Sequence, residues 1–100
     1  MDFLMKYNIT GDEVDEILEV NHKEVIKNII LNKKNVSEVI EYLVDLGVKV
    51  ESLRDLFIYQ IGLFFRSKKE IADAFEEYEI DSIVKSLNYD VNTIDLIEFE

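Results

Sequence analysis

The stretch Val36-Ser-Glu-Val-Ile-Glu-Tyr42-Leu-Val-Asp-Leu46-Gly47-Val48 decides how the chain is read. Val36, Val39, Ile40, Leu43 and Leu46 recur at intervals of three and four, the spacing that puts residues on one face of an α-helix. Gly47 then stands where a helix C′ residue would, because glycine takes the left-handed backbone that closes a helix. Val48 follows as a single aliphatic in the turn, and a second apolar run, Leu53, Leu56, Phe57, begins soon after. Ahead of the stretch, Asn35-Val-Ser-Glu38 reads as a loose capping box. In such a box the N-cap side chain accepts from an orphan helix amide, and the acid three residues later reaches back to the cap amide.

The same grammar divides the rest of the chain. Thr10-Gly-Asp-Glu13 and Ser67-Lys-Lys-Glu70 are full capping boxes, Asn21-His-Lys-Glu24 and Asn92-Thr-Ile-Asp95 are looser ones, and Asp81 precedes a further apolar run. Helical spacing recurs in Val14, Ile17 and Leu18, in Val25, Ile26, Ile29 and Ile30, and in Ile71, Phe75 and Tyr78. Strict alternation over strand lengths is missing, and no Asn-Gly hairpin turn occurs. The expected fold is all-α, with about seven short helices that need one another to stand.

A repeat is visible. Phe3-Leu4, Tyr7-Asn8-Ile9, Val14 and Ile17-Leu18 reappear 39 residues later as Tyr42-Leu43, Leu46-Gly47-Val48, Leu53 and Leu56-Phe57. A looser copy runs through Ala74-Phe75, Tyr78-Glu79-Ile80, Ile83 and Leu87. Each unit reads as a helix, a tight turn with one buried aliphatic, and a second helix, so the expectation is two to three helical-hairpin repeats sharing one core. One domain over residues 1–100 is expected.

The chain of 100 residues carries 22 acids against 11 bases, a net charge of −11, while 48% of its residues are hydrophobic. That is a globular composition, not a disordered acidic tail. With no Cys, disulfides, thiolate zinc sites and cysteine nucleophiles are excluded, and one His excludes any site that needs two imidazoles. Gly11, Gly47 and Gly62 are isolated, so there is no glycine-rich phosphate loop. His22 falls in a helix first turn with no nucleophile motif beside it. Asp12, Glu13, Asp15, Glu16 and Glu19 crowd one helix without EF-hand spacing. No catalytic, cofactor or metal residue is assigned, and the expectation is a protein that is not an enzyme.

The most apolar window, Leu56 to Phe65, is half the roughly 20 residues a spanning helix needs. An acid at Asp2 argues against a secretory signal, so a soluble, cytoplasmic protein without membrane contact is expected. Thirteen Ile and seven Asn beside two Ala suggest a gene of low GC content, which favours a bacterial, phage or mobile-element origin.

Tyr42-Leu43-Val44-Asp45-Leu46-Gly47-Val48, then Leu53-Arg54-Asp55-Leu56-Phe57, then Leu63-Phe64-Phe65-Arg66-Ser67 resembles the repeat of mitochondrial transcription termination factors (mTERF). The resemblance covers about one repeat. Ile61 or Gly62 stands near the place of the family's characteristic proline. What it implies is a superhelix of triangular three-helix repeats, a fold that in many members binds double-stranded nucleic acid along a basic concave groove.

Charge is uneven along the chain. Residues 1–69 hold 12 acids and 10 bases, whereas residues 70–100 hold 10 acids and Lys85 alone among bases. The acidic third repels phosphate backbones and attracts basic partners. The leading expectation is a protein-protein interaction, inhibitory or regulatory module that presents Glu70, Asp73, Glu76, Glu77 and Glu79 to a basic partner, as a mimic of nucleic acid would. Tyr59 and Phe64, from the aromatic run of the centre, would supply apolar anchors or a homodimer contact. The alternative is a nucleic-acid-binding regulator that uses the two basic clusters, Lys33-Lys34 and Arg66-Ser67-Lys68-Lys69. Each lies near a helix start, where the dipole also favours phosphate. Both charge patterns also serve plain solubility.

Overall fold

Four helix starts among the described residues are set by a side chain that accepts from a terminal amide. The computed structural model describes residues 1–99. With η for 3-10 helix, the order is η1 (Asp2–Tyr7), α1 (Gly11–Val20), α2 (Lys23–Leu31), α3 (Lys33–Leu46), α4 (Val50–Tyr59), η2 (Ile61–Phe65), α5 (Lys68–Phe75), α6 (Ile80–Tyr89) and η3 (Val91–Leu96). No strand occurs among the described residues. The all-α expectation holds; among the described residues the division into six α-helices and three 3-10 helices is finer than the expected seven short helices.

Two of the expected end signals act as written, and the Ser67 box forms by half, with Glu70 Oε1 meeting the Ser67 hydroxyl at 3.5 Å in place of its amide. Thr10 Oγ1 accepts from the Glu13 amide at 3.2 Å, and Glu13 Oε1 accepts from the Thr10 amide at 3.0 Å, a reciprocal box. Ser67 Oγ accepts from the Glu70 amide at 3.1 Å and starts α5. Gly47 closes α3 at φ 109°, and the Val48 amide donates back to the Leu43 carbonyl at 3.0 Å.

The three Asn boxes are wrong in detail, two of them for one physical reason. An Asn amide also donates, and carbonyls stranded at helix C-termini compete for it. Asn21 donates to the Ile17 carbonyl of α1 and the Phe57 carbonyl of α4, each at 2.9 Å, and the N-cap is His22, whose Nδ1 accepts from the Glu24 amide at 3.1 Å. Asn35 lies inside α3 and donates to the Phe64 and Arg66 carbonyls at 3.2 and 2.9 Å. Before η3 the cap is Asp90, accepting from the Asn92 amide at 2.9 Å.

Two positions 39 residues apart share a backbone conformation, although η1 is a 3-10 helix and α3 an α-helix. Asn8, the counterpart of Gly47, is also left-handed at φ 69°. Ile9 and Val48 are both buried, as are the pairs Leu4 and Leu43, Val14 and Leu53, and Ile17 and Leu56. The looser third copy departs at its turn, where Glu79 is extended at φ −75°.

One cluster of buried side chains runs from Leu4 to Ile97. In the middle of it the Phe57 and Phe64 rings stack with centroids 3.9 Å apart and planes within 1°. Helix α4 packs against α1, α6, η2 and η3, and α3 packs against α2, α5 and η2, so these two helices are the shared wall of the core. The radius of gyration, 12.7 Å, matches the ~13 Å expected of a compact chain of this length. Among the described residues no helix is long and apolar enough to cross a membrane.

Two tests follow from the helix ends. A Cβ on Gly47 would meet Val84 Cγ1 at an ordinary 3.5 Å, so the cost of Gly47→Ala is backbone strain, about 1–2 kcal/mol. Asn8→Gly, at the matching turn, should cost little or stabilise; urea denaturation of both variants checks the contrast.

The second test concerns Glu13. The Thr10 amide above all holds its carboxyl below the ordinary value of 4.5, aided by the Thr10 hydroxyl and by Arg54, whose guanidinium lies 3.3 Å away, while burial opposes. A pKa lowered by folding stabilises above the unfolded value and is lost as pH falls through the lowered one. Glu13→Gln should therefore flatten the acid-side fall of Tm; an unchanged slope in thermal denaturation from neutral to acidic pH contradicts this.

Candidate partner-binding site

The site starts from the cap of α5. With Ser67 fixing the first turn, Glu70, Asp73, Ala74 and Glu77 follow at i, i+3, i+4 and i+7 and share a face, the last of them just past the helix end. Ile71 and Phe75 hold the opposite face in the core. The chain then returns through α6 and η3. Ile97 is buried, and the Phe99 ring lies over the Arg66 guanidinium at 4.2 Å, just ahead of α5. Glu98, between these two anchors, is thereby carried to the acidic face of α5. Glu70, Asp73, Ala74, Glu77 and Glu98 line one concavity.

Two of its four carboxylates are matched locally. Glu70 lies 3.5 Å from Arg66, and Asp73 lies 2.8 Å from Lys69, both one turn apart. The hydrogen bond to Asp73, followed by its charge, pushes the Lys69 ammonium pKa up. Glu77 and Glu98 have no basic group within 4.0 Å among the described residues. They are the free charges of the concavity.

The expected acidic residues therefore separate. Glu70, Asp73 and Glu77 come together, while Glu76 and Glu79 are exposed but do not line the concavity. Glu76 instead faces toward Tyr42, whose hydroxyl pKa is pushed up by burial first and by that carboxylate second. Tyr59 is 66% exposed at the end of α4, also outside the concavity. Phe64 must be corrected: it is 0% exposed, stacked on Phe57, and its role is in the core, whereas its neighbour Phe65 is 42% exposed. Glu98 went unselected in the sequence because only its acidity marked it, and its position depends on the fold of the intervening chain.

The basic residues meet as well. The bonds from Asn35 to the Phe64 and Arg66 carbonyls bring the start of α3, with exposed Lys33 and Lys34, beside the turn that carries Arg66, Lys68 and Lys69. Two of these cations are already engaged by Glu70 and Asp73, and the Lys68 ammonium lies 6.0 Å from the Tyr42 ring centre. Lys33 and Lys34 have no carboxylate within 4.0 Å among the described residues. The acidic and basic sets thus share α5.

A second, more open concavity is bordered by Lys49, Asp81, Lys85, Asn88 and Tyr89. Asn88 spans its edge, donating to the Gly47 carbonyl at 3.1 Å and accepting from the Lys49 amide at 2.9 Å. Among the described residues no group of three or more His, Asp or Glu is placed to hold a metal ion. In comparison with known proteins, the chain matches no family model, no curated protein and no solved structure.

The two neighbouring phenylalanines give a direct check. Phe64→Ala should lose about 3–5 kcal/mol of stability, as buried aromatic truncations do, and Phe65→Ala much less, by urea denaturation. Equal losses would contradict the assignment of Phe64 to the core.

Proposed function

We propose that the protein is a non-enzymatic binding module whose acidic C-terminal third receives a basic segment of a partner protein. The observation that carries this reading is the convergence of Glu70, Asp73, Glu77 and Glu98 on one concavity, with Glu77 and Glu98 unmatched by neighbouring bases. A Lys or Arg side chain entering there exchanges its water for carboxylate oxygens, with Ala74 the apolar residue of the lining for its methylenes. The net charge of −11 draws such a segment in before contact. Inhibition by mimicry of nucleic acid is the form this takes when the partner's basic segment is itself a nucleic-acid groove.

The second reading, nucleic-acid binding after the manner of the termination-factor repeats, has its own support. Asn35 joins the two basic turns, and α3, α4 and η2, then α5, α6 and η3, repeat an order of two α-helices and one 3-10 helix. In this reading they are stacked three-helix repeats, with η1, α1 and α2 as the first. Against it stand the carboxylates that already engage Arg66 and Lys69.

A fluorescently labelled oligolysine peptide and a labelled DNA duplex separate the two. The acidic reading expects the peptide to bind, and Glu77→Gln with Glu98→Gln to weaken it at least several-fold while helical content by circular dichroism stays the same. Duplex binding at low salt that falls when Lys33 and Lys34 become Glu, with no peptide binding, reverses the order of the two readings.

A further inference from the structure

The exposed face of α2 is unlike the rest of the surface. Lys23, Lys27, Ile30 and Leu31 fall at i, i+4, i+7 and i+8 and share a side of the helix that borders the buried stripe of Ile26 and Ile29. Ile30 is 46% and Leu31 73% exposed, while Lys33 and Lys34 continue the basic character into the first turn of α3. Residues 23–34 hold four lysines and one acid, Glu24, in a chain whose net charge is −11. None of the four lysines has a carboxylate within 4.0 Å among the described residues, whereas Arg54, Arg66 and Lys69 all do. An exposed helix with unmatched cations beside two large aliphatics is a surface built for an anionic partner that also offers apolar contact.

We infer that this α2 face docks on the acidic concavity of a second copy of the chain. The two surfaces are complementary in both charge and polarity. Lys23, Lys27 and Lys34 meet Glu77 and Glu98, which are likewise unmatched, and Ile30 and Leu31 meet the half-exposed Tyr78 beside Glu77. The two surfaces belong to different parts of the chain, so the contact is head-to-tail, and the pair keeps one free donor face on one copy and one free acceptor face on the other. Like net charges oppose the approach at low ionic strength. Near physiological salt, charges beyond about 8 Å are screened and the close pairs remain; at 1 M salt the screening length falls to about 3 Å and the pairs fade as well. Association is thus strongest at intermediate salt. The inference rests on the acidic face being a receptor for basic segments and names one such segment.

Two variants with opposite defects test it. In the first, Lys23→Glu, Lys27→Glu and Lys34→Glu remove the donor face and leave the concavity. In the second, Glu77→Lys and Glu98→Lys remove the concavity and leave α2. Circular dichroism of both variants should match the wild type. Sedimentation velocity should show the wild type growing heavier with concentration at intermediate salt, each variant monomeric alone, and an equimolar mixture restoring a complex of one copy of each. A wild type that stays monomeric at all salts, a first variant that still self-associates, or a mixture that fails to pair overturns the inference. The first variant is also titrated with oligolysine. Peptide binding without wild-type self-association refutes the second copy as occupant and leaves the acidic receptor standing, while failure of both removes both.

Discussion

Helices of 8 to 14 residues leave about a third to a half of their backbone polar groups at their ends, and in this protein those ends set how the helices meet. The last carbonyls of each helix have no intrahelical donor, and a buried carbonyl without a partner costs about 1–3 kcal/mol. Three asparagines resolve this across elements. Asn21 joins α1 to α4, Asn35 joins α3 to the turn after η2, and Asn88 joins α6 to the turn after α3. Each bond closes a helix and fixes its neighbour at the same time. The apolar stripes bring the helices together, and these amides set how far along one another they lie.

The placement of charge follows from that arrangement. Asn35 holds the Arg66 turn against α3, Ser67 starts α5 one residue later, and the register of α5 then puts its acids on one side. Phe99 over Arg66 brings Glu98 round to meet them. The concavity is therefore a by-product of caps and one cation–aromatic contact, without any buried charge to stabilise.

Much of this was legible in the residues themselves. The 3.6-residue spacing from Val36 to Leu46, Gly47 as a left-handed stop, the Thr10 box and the Ser67 cap all act locally, and local physics is what a sequence displays directly. The matching turns at Asn8 and Gly47 were also visible, through the apolar residues around them. The failures have a common source in contacts between distant residues. Asn21 and Asn35 look like N-caps until a carbonyl 36 or 29 residues away claims the amide. Phe64 looks like a surplus aromatic until Phe57 is folded onto it, and Glu98 looks like one acid among ten. For the candidate site, the acidity of the last third was readable; which carboxylates share a concavity was not.

The ion pairs along α5 tie its two charged surfaces into a single thermodynamic system. Glu70 and Asp73 belong to the concavity, while Arg66 and Lys69 belong to the basic corner, and each acid is held by one of those bases. A cation that takes the carboxylates releases the bases, and an anion that takes the bases releases the carboxylates. Linkage makes that relation reciprocal, so oppositely charged ligands at the two surfaces favour one another's binding. Both pairs are open to water, which keeps the coupling small and makes it fade with added salt.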